Sequence, residues 1–162
     1  MFEAWWILLG VGVVLAIFVF VWRPMRAAAR EARFVRARRH FHTQRERLEA
    51  KFVQLATMNS QPVSVQWDDC DFDDDVAYVR NRGTGELWAF VAVTVATDEA
   101  DDPPYGLGEV IGNLRAGTAV FRFDRDHWET EGRAILNLSP SEAIRFYQND
   151  IEIIEHEMAR RT

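Results

Sequence analysis

The run Ala4 to Trp22, AWWILLGVGVVLAIFVFVW, is 19 residues without a charge, and no other stretch constrains the chain so tightly. As an α-helix it would reach about 28 Å, close to the hydrocarbon thickness of a bilayer. Trp5 and Trp6 stand at one end and Trp22 at the other, where amphipathic indoles prefer the headgroup level. The run therefore reads as a single transmembrane helix, with residues 1–23 as the anchor.

The flanks argue against a cleaved signal. Only Met1, Phe2 and Glu3 precede the run, with no basic side chain, and Arg23 follows at once. A secretory signal has a basic start and a shorter apolar core. Arg23, Arg26, Arg30, Arg33 and Arg36 follow the span, and no cation precedes it. The positive-inside rule then predicts a single-pass protein of the cell membrane with its soluble domain in the cytoplasm. Trp5, Trp6, Trp22, Arg23, Arg26, Arg30 and Arg33 are the expected membrane-surface contacts, and the bilayer is the first expected partner. Gly12-x-x-x-Ala16 permits close helix approach, but as a weak motif it is read as ordinary membrane-helix composition.

Charge is unevenly distributed along the chain. Residues 23–51 hold ten Arg and Lys against three acids, whereas residues 52–162 hold nine Arg against 21 acids. An acidic distal body does not attract polyanions, so nucleic acid is not an expected partner. The arginines of residues 24–40 are read as a topology signal with headgroup contact. With a lone cysteine, Cys70, no internal disulfide can staple the fold.

Pro24 is expected to close or kink the span. From Met25 to about Met58 there is no Pro or Gly, and good helix formers dominate. Phe34, Phe41, Leu48 and Leu55 recur every seven residues, with Phe52 on the same face. That stripe predicts a long connector helix whose second half packs on a soluble domain covering residues 41–162.

After Asn59-Ser60-Gln61-Pro62 the period changes. Val63, Val65 and Trp67 alternate with polar residues, Val76–Asn81 reads as a second strand, and Arg82-Gly83-Thr84-Gly85 reads as a hairpin turn. Glu86–Thr97 is the longest expected strand. Leu87, Ala89, Val91, Val93 and Val95 lie on one face and Trp88, Phe90 and Ala92 on the other, which predicts a central strand covered on both sides or one with a partner against its outer face. Asp98–Glu109 is an expected surface loop. Strands are expected again at Thr118–Phe123 and Trp128–Leu138, around a turn at Asp124-Arg125-Asp126. Ser139, Pro140 and Glu142 form a capping box opening a terminal helix, whose stripe is Ile144, Tyr147, Ile151, Ile154 and Met158.

The predicted fold class is α+β: a transmembrane helix, a connector helix, an antiparallel meander of about five strands and a C-terminal helix. A helix leading into such a sheet, with the hairpin Ala119 to Arg133, resembles cystatin-like and NTF2-like domains. That resemblance implies a cone-shaped cup over residues 40–138, used by some relatives as an enzyme pocket and by others as an assembly surface. Type IV pilins share the order of elements, but Met1-Phe2-Glu3 lacks their leader glycine.

Little local chemistry is visible. Asp68–Asp75 packs six carboxylates into eight residues, which makes Asp69, Asp71 and Asp73 candidate cation ligands. Asp74 stands where an EF-hand needs Gly, and Arg80 where it needs Glu, so the EF-hand is rejected. A solvated acidic turn is the plainer reading. His40 and His42 cannot share a helix face, His127 lies in a turn, and His156 is flanked by Glu155 and Glu157. Acidic neighbours oppose a reactive Cys70 thiolate. No nucleophile-elbow, Walker, zincin, C-x-x-C or dinucleotide pattern is present, and no cofactor is expected.

The expected function is that of a non-catalytic interaction or assembly subunit of a membrane-associated complex. Its expected partner is another protein or a second copy of the chain, met through Trp88 and Phe90. The alternative is a tethered ligand-binding or enzymatic cup of the NTF2-like kind, with His127 or acidic residues at its mouth.

Overall fold

A computed structural model of the chain describes residues 3–59, 65–97 and 113–157. The chain divides into two compact units, Met1–His40 and Phe41–Thr162. Helix α1 (Glu3–Met58) opens the chain. In the first unit Val14, Phe20 and Trp22 are exposed, and the rings of Phe18 and Trp22 touch at 4.5 Å between centroids.

Two expectations for this segment are corrected. Among the described residues, no helix is long and apolar enough to cross a membrane. The transmembrane anchor at residues 1–23 is therefore not supported. The single-pass topology, the cell-membrane location and the cytoplasmic side deduced from it fall with that premise. Of the two effects expected of Pro24, closing the helix is excluded, because α1 continues through it into the arginine-rich half. The side chains of Trp5, Trp6, Arg23 and Arg26 lie outside the described residues, while Trp22, Arg30 and Arg33 are exposed.

The second unit is an α+β domain on a six-stranded, antiparallel sheet. Its strands are β1 (Val65–Asn81), β2 (Leu87–Thr97), β3 (Asn113–Asp124), β4 (His127–Glu129), β5 (Ala134–Leu136) and β6 (Ile151–Glu157), with helix α2 (Pro140–Phe146) before β6. The spatial order is β4-β3-β2-β1-β6, and β5 pairs with β3. The first four strands form the expected meander, and β6 returns to the far edge beside β1.

The two faces of β2 divide as its alternation requires. Ala89, Val91, Val93 and Val95 are buried on one face. The aromatic side of this core is knit by Phe41, which meets Tyr78, Phe121 and Trp128 at 5.9, 5.5 and 4.9 Å. Phe52 likewise meets Trp67, Phe72 and Phe121 at 5.7, 5.6 and 5.8 Å. Phe41, Leu48 and Phe52 are all buried, so the connector stripe serves as core. Tilted and edge-on ring pairs of this kind add to the plain burial of apolar surface. On the other face Phe90 joins Ala77, Val79, Ala143, Ile144 and Ile151 in a second cluster.

The acidic run is part of a strand, where a turn between two strands was expected. β1 is one strand with register shifts between Gln66 and Cys70 and between Phe72 and Val76. Trp67 and Phe72 are five positions apart, and in a regular strand an odd spacing would send them to opposite faces. The first irregularity brings both onto Phe52. Asp68, Asp69 and Asp73–Asp75 thus fall at the irregular positions of the strand, Asp71 stays paired with Thr94, and the large apolar residues keep to the core. Among the described residues β6 pairs only with Val76–Asn81, which leaves the acidic half of β1 as a sheet edge there, and charge on an edge disfavours pairing with another chain.

The C-terminal helix is also corrected. The capping box forms as expected: the Glu142 N–H donates to Ser139 Oγ, and the Ser139 N–H donates to Glu142 Oε2 at 2.8 Å. However, α2 ends after seven residues. Residues 147–150 turn, and Ile151–Glu157 pairs antiparallel with β1. Ile151, Ile153 and Ile154 are β-branched and suit a strand, and the open edge of β1 supplies backbone partners that a longer helix would leave unmet. Met158 lies outside the described residues, as does the expected loop Asp98–Glu109.

The expected strand Trp128–Leu138 is split into β4 and β5, both along β3. Thr130 Oγ1 donates to the Val120 carbonyl and accepts from the Gly132 N–H, and Gly132 has a φ of +70°. The break comes from that left-handed residue, which glycine adopts without strain.

Candidate functional site

A cavity of about 520 Å³ opens on the α2 side of the sheet. Its position follows from register. Val79 lies opposite Trp88, Trp88 opposite Arg122, and Arg122 opposite Glu129. Cross-strand partners share a face, so an indole, a guanidinium and a carboxylate stand in one row across neighbouring strands. The next row places Ala77, Phe90 and Val120 together. Trp88, Phe90, Val120 and Ile135 therefore make an apolar floor.

Two turns build the rim. In the β1–β2 turn, the Gly83 and Thr84 N–H groups donate to Asn81 Oδ1 at 2.8 and 2.9 Å, an Asx-type closure. The Arg82 N–H donates to the Asp150 carbonyl at 2.7 Å, and its Nε donates to the Ile151 carbonyl at 3.2 Å. These bonds tie the hairpin turn to the turn after α2, which carries Tyr147, Asn149 and Asp150 to the cavity. On the opposite side Arg122 donates from Nε and Nη2 to Glu129 Oε1 at 3.1 and 2.5 Å. Glu131 lies 3.9 Å from the same guanidinium. The hydrogen bond from Arg122 holds the Glu129 carboxyl below its ordinary value and the guanidinium above its own. Glu129 is therefore ionised at neutral pH and acts as an acceptor, not as a proton donor.

The Trp88 Nε1 is buried and has no hydrogen-bond partner among the described residues. A buried donor left without an acceptor costs about 1–3 kcal/mol. The cavity lining holds no His, Cys, Ser or Lys. Its single hydroxyl on a β-branched side chain, Thr130 Oγ1, is committed to backbone groups. The arrangement offers recognition chemistry: an apolar floor, guanidinium donors and carboxylate acceptors.

The residues expected at a partner surface are thus placed differently. Phe90 is 1% exposed and reaches the cavity floor from within the cluster with α2, Trp88 is half-buried, and both line the cavity. His127 is not at the cavity mouth; it sits in the β3–β4 turn with Nδ1 3.1 Å from Asp126. Glu129, Glu131 and Asp150 are the acids that reach it. Asp69, Asp71 and Asp73 lie exposed along the edge half of β1, where Arg45 donates to the Asp73 and Asp74 carbonyls. Among the described residues, no group of three His, Cys, Asp or Glu side chains gathers to hold a metal ion. The Cys70 thiol is pushed up to about 11, first by burial and then by Asp71, Glu49, Asp69 and Asp68, and is protonated at neutral pH.

Arg122, Glu129 and Arg133 are not site candidates by sequence, and Tyr147 is expected there only as part of a helical stripe. The signal for the first two was present: once the Arg82–Gly85 and Asp124–Asp126 turns set the hairpin registers, Trp88, Arg122 and Glu129 align. Tyr147 and Arg133 carry no such signal, because their places depend on where the chain leaves α2 and on the break at Gly132.

No family model, curated protein or solved structure matches the chain. The resemblance to cystatin-like and NTF2-like domains accordingly finds no support among solved structures, and the α+β architecture stands on the sheet described above.

Proposed function

We propose that this chain is a non-catalytic binding module whose recognition site is the cavity over Trp88 and Phe90. One observation carries the reading: a cavity of about 520 Å³ with an apolar floor and charged groups gathered at its rim. Small-molecule sites fall in the range of roughly 300–1,000 Å³ and share that division between apolar body and few polar groups. Catalysis would call for a nucleophile or a base poised near neutral pH. Here the lining offers an ionised Glu129 already bound to Arg122.

Ligand-observed NMR with a fragment library against the full chain tests the reading. Fragments should bind, and Trp88→Leu, which keeps an apolar side chain, should weaken them at least tenfold while the far-UV spectrum stays unchanged. A library without hits, or hits indifferent to Trp88→Leu and also to Val120→Glu, would overturn the assignment.

Assembly with a protein partner or a second copy is the other reading. It draws on Phe146 and Tyr147, a ring pair at 5.0 Å whose members are 71% and 37% exposed. Phe146→Ser should then lower the mass measured by light scattering or release a co-purifying protein. An unchanged mass together with an unchanged set of co-purifying proteins would count against it.

A further inference from the structure

We propose that the cavity selects a small planar aromatic carboxylate; this deepens the binding reading above and rests on it. The floor favours an aromatic body. Trp88 and Phe90 lie with their rings inclined by 32° and their centroids 6.4 Å apart. Phe90 backs the indole, with Val120 and Ile135 beside it. A flat ring laid on this floor gains offset aromatic contact and apolar burial at little cost in side-chain entropy.

The rim sets the charge. By formal count three arginines and three acids face the cavity, which alone would favour neither sign. Their pairing breaks the tie. Glu129 is bound to Arg122 through two hydrogen bonds, and Glu131 lies near the same guanidinium. Two of the three acids are thereby answered within the wall. Arg82 spends only its Nε, on a backbone carbonyl, and Arg133 has no side-chain partner among the described residues. The remaining acid is Asp150. Among the described residues, two guanidiniums with free N–H groups thus face one uncommitted carboxylate. A guanidinium fork matches a carboxylate through two parallel hydrogen bonds, a geometry that an ammonium on Asp150 does not reproduce.

Isothermal titration calorimetry on the full chain with 2-naphthoate, 2-naphthamide and 2-naphthylmethylammonium tests the proposal. The carboxylate should bind about tenfold tighter than the amide, and the ammonium should bind more weakly than either. Arg133→Met should bring carboxylate and amide to within about twofold of each other while amide binding stays unchanged; the exposed position of Arg133 makes a folding failure there a poor explanation. If the amide or ammonium binds as well as the carboxylate, or if Arg133→Met and Arg82→Met both leave the preference intact, the ligand class is wrong while the cavity remains a binding site. If none of the three binds but fragments still bind in a Trp88-dependent way, the class alone fails. If neither binds, class and binding reading fail together.

Discussion

Gly132 approaches α1 so closely that a Cβ at this position would lie 2.5 Å from the amide nitrogen of Ala56. The same Cβ would lie 2.8 Å from the carbonyl carbon of Leu55. The loop between β4 and β5 can close against the helix only because residue 132 has no side chain.

Gly132→Ala should therefore be among the costliest single-methyl additions in the domain. Its φ of +70° is unfavourable for an L residue by about 1–2 kcal/mol, and overpacking against backbone adds about 1–3 kcal/mol. Gly85 is the internal control: its φ is +74°, but a Cβ there meets nothing within 4 Å. Urea unfolding should show a loss of about 2–5 kcal/mol at position 132 and only the conformational part, about 1–2 kcal/mol, at position 85. Equal losses at the two sites would mean that the contact with α1 contributes nothing.

The Arg122–Glu129 pair should appear in the acid limb of the stability curve. In the folded chain the Glu129 carboxyl is held below its ordinary value, chiefly by the hydrogen bond from Arg122. A group depressed on folding contributes stability above its unfolded pKa, and that stability is lost as pH falls through the folded one. With an ordinary value of 4.5, the contribution is present at neutral pH and fades on acidification below that point. Glu129→Gln should flatten this part of the curve and leave its slope between pH 6 and 8 unchanged. The pair is partly exposed, so the effect should shrink in high salt. A variant whose acid limb overlays that of the parent would contradict the pairing.

Cys70 should be a slow thiol. Its pKa is raised from 9.0 to about 11, which lowers the thiolate fraction at pH 8 about a hundredfold. Labelling with 5,5′-dithiobis(2-nitrobenzoate) should therefore run about a hundred times slower in the native chain than in urea, corrected for the reagent. Asp71→Asn should recover only part of the difference, since burial is the larger cause. Native labelling at the unfolded rate would show that the thiol is neither buried nor opposed by the acids around it.

Much of the fold was legible where neighbouring residues decide. The β2 alternation, the Arg82–Gly85 turn and the Ser139–Glu142 capping box involve groups only a few positions apart, and each forms as read. Elsewhere the pattern had two solutions. Ile144, Tyr147, Ile151 and Ile154 fit a helical stripe, yet Ile151 begins a strand, because hydrophobic spacing over one turn does not register an open sheet edge. The aspartates at 68–75 read as a turn, because a strand that skips register twice leaves no regular alternation to detect. Of the candidate site, Trp88 and Phe90 were visible as a face, but not what covers that face.

The sequence by itself determined an α+β domain, its hairpins and the connector stripe that becomes core. Those properties come from local periodicity and turn chemistry. The tertiary structure alone decided that residues 151–157 join the sheet, that Trp88 and Phe90 floor a cavity, and that Arg122 spends its charge on Glu129 while Arg133 keeps its own. It also removed the membrane anchor from the account: an uncharged run meets one requirement of a span, but among the described residues no helix is long and apolar enough to make the crossing. The physical reason is common to all of these. Burial, edge pairing and ion pairing depend on partners far away in the chain, and the identity of a partner is a property of the folded whole.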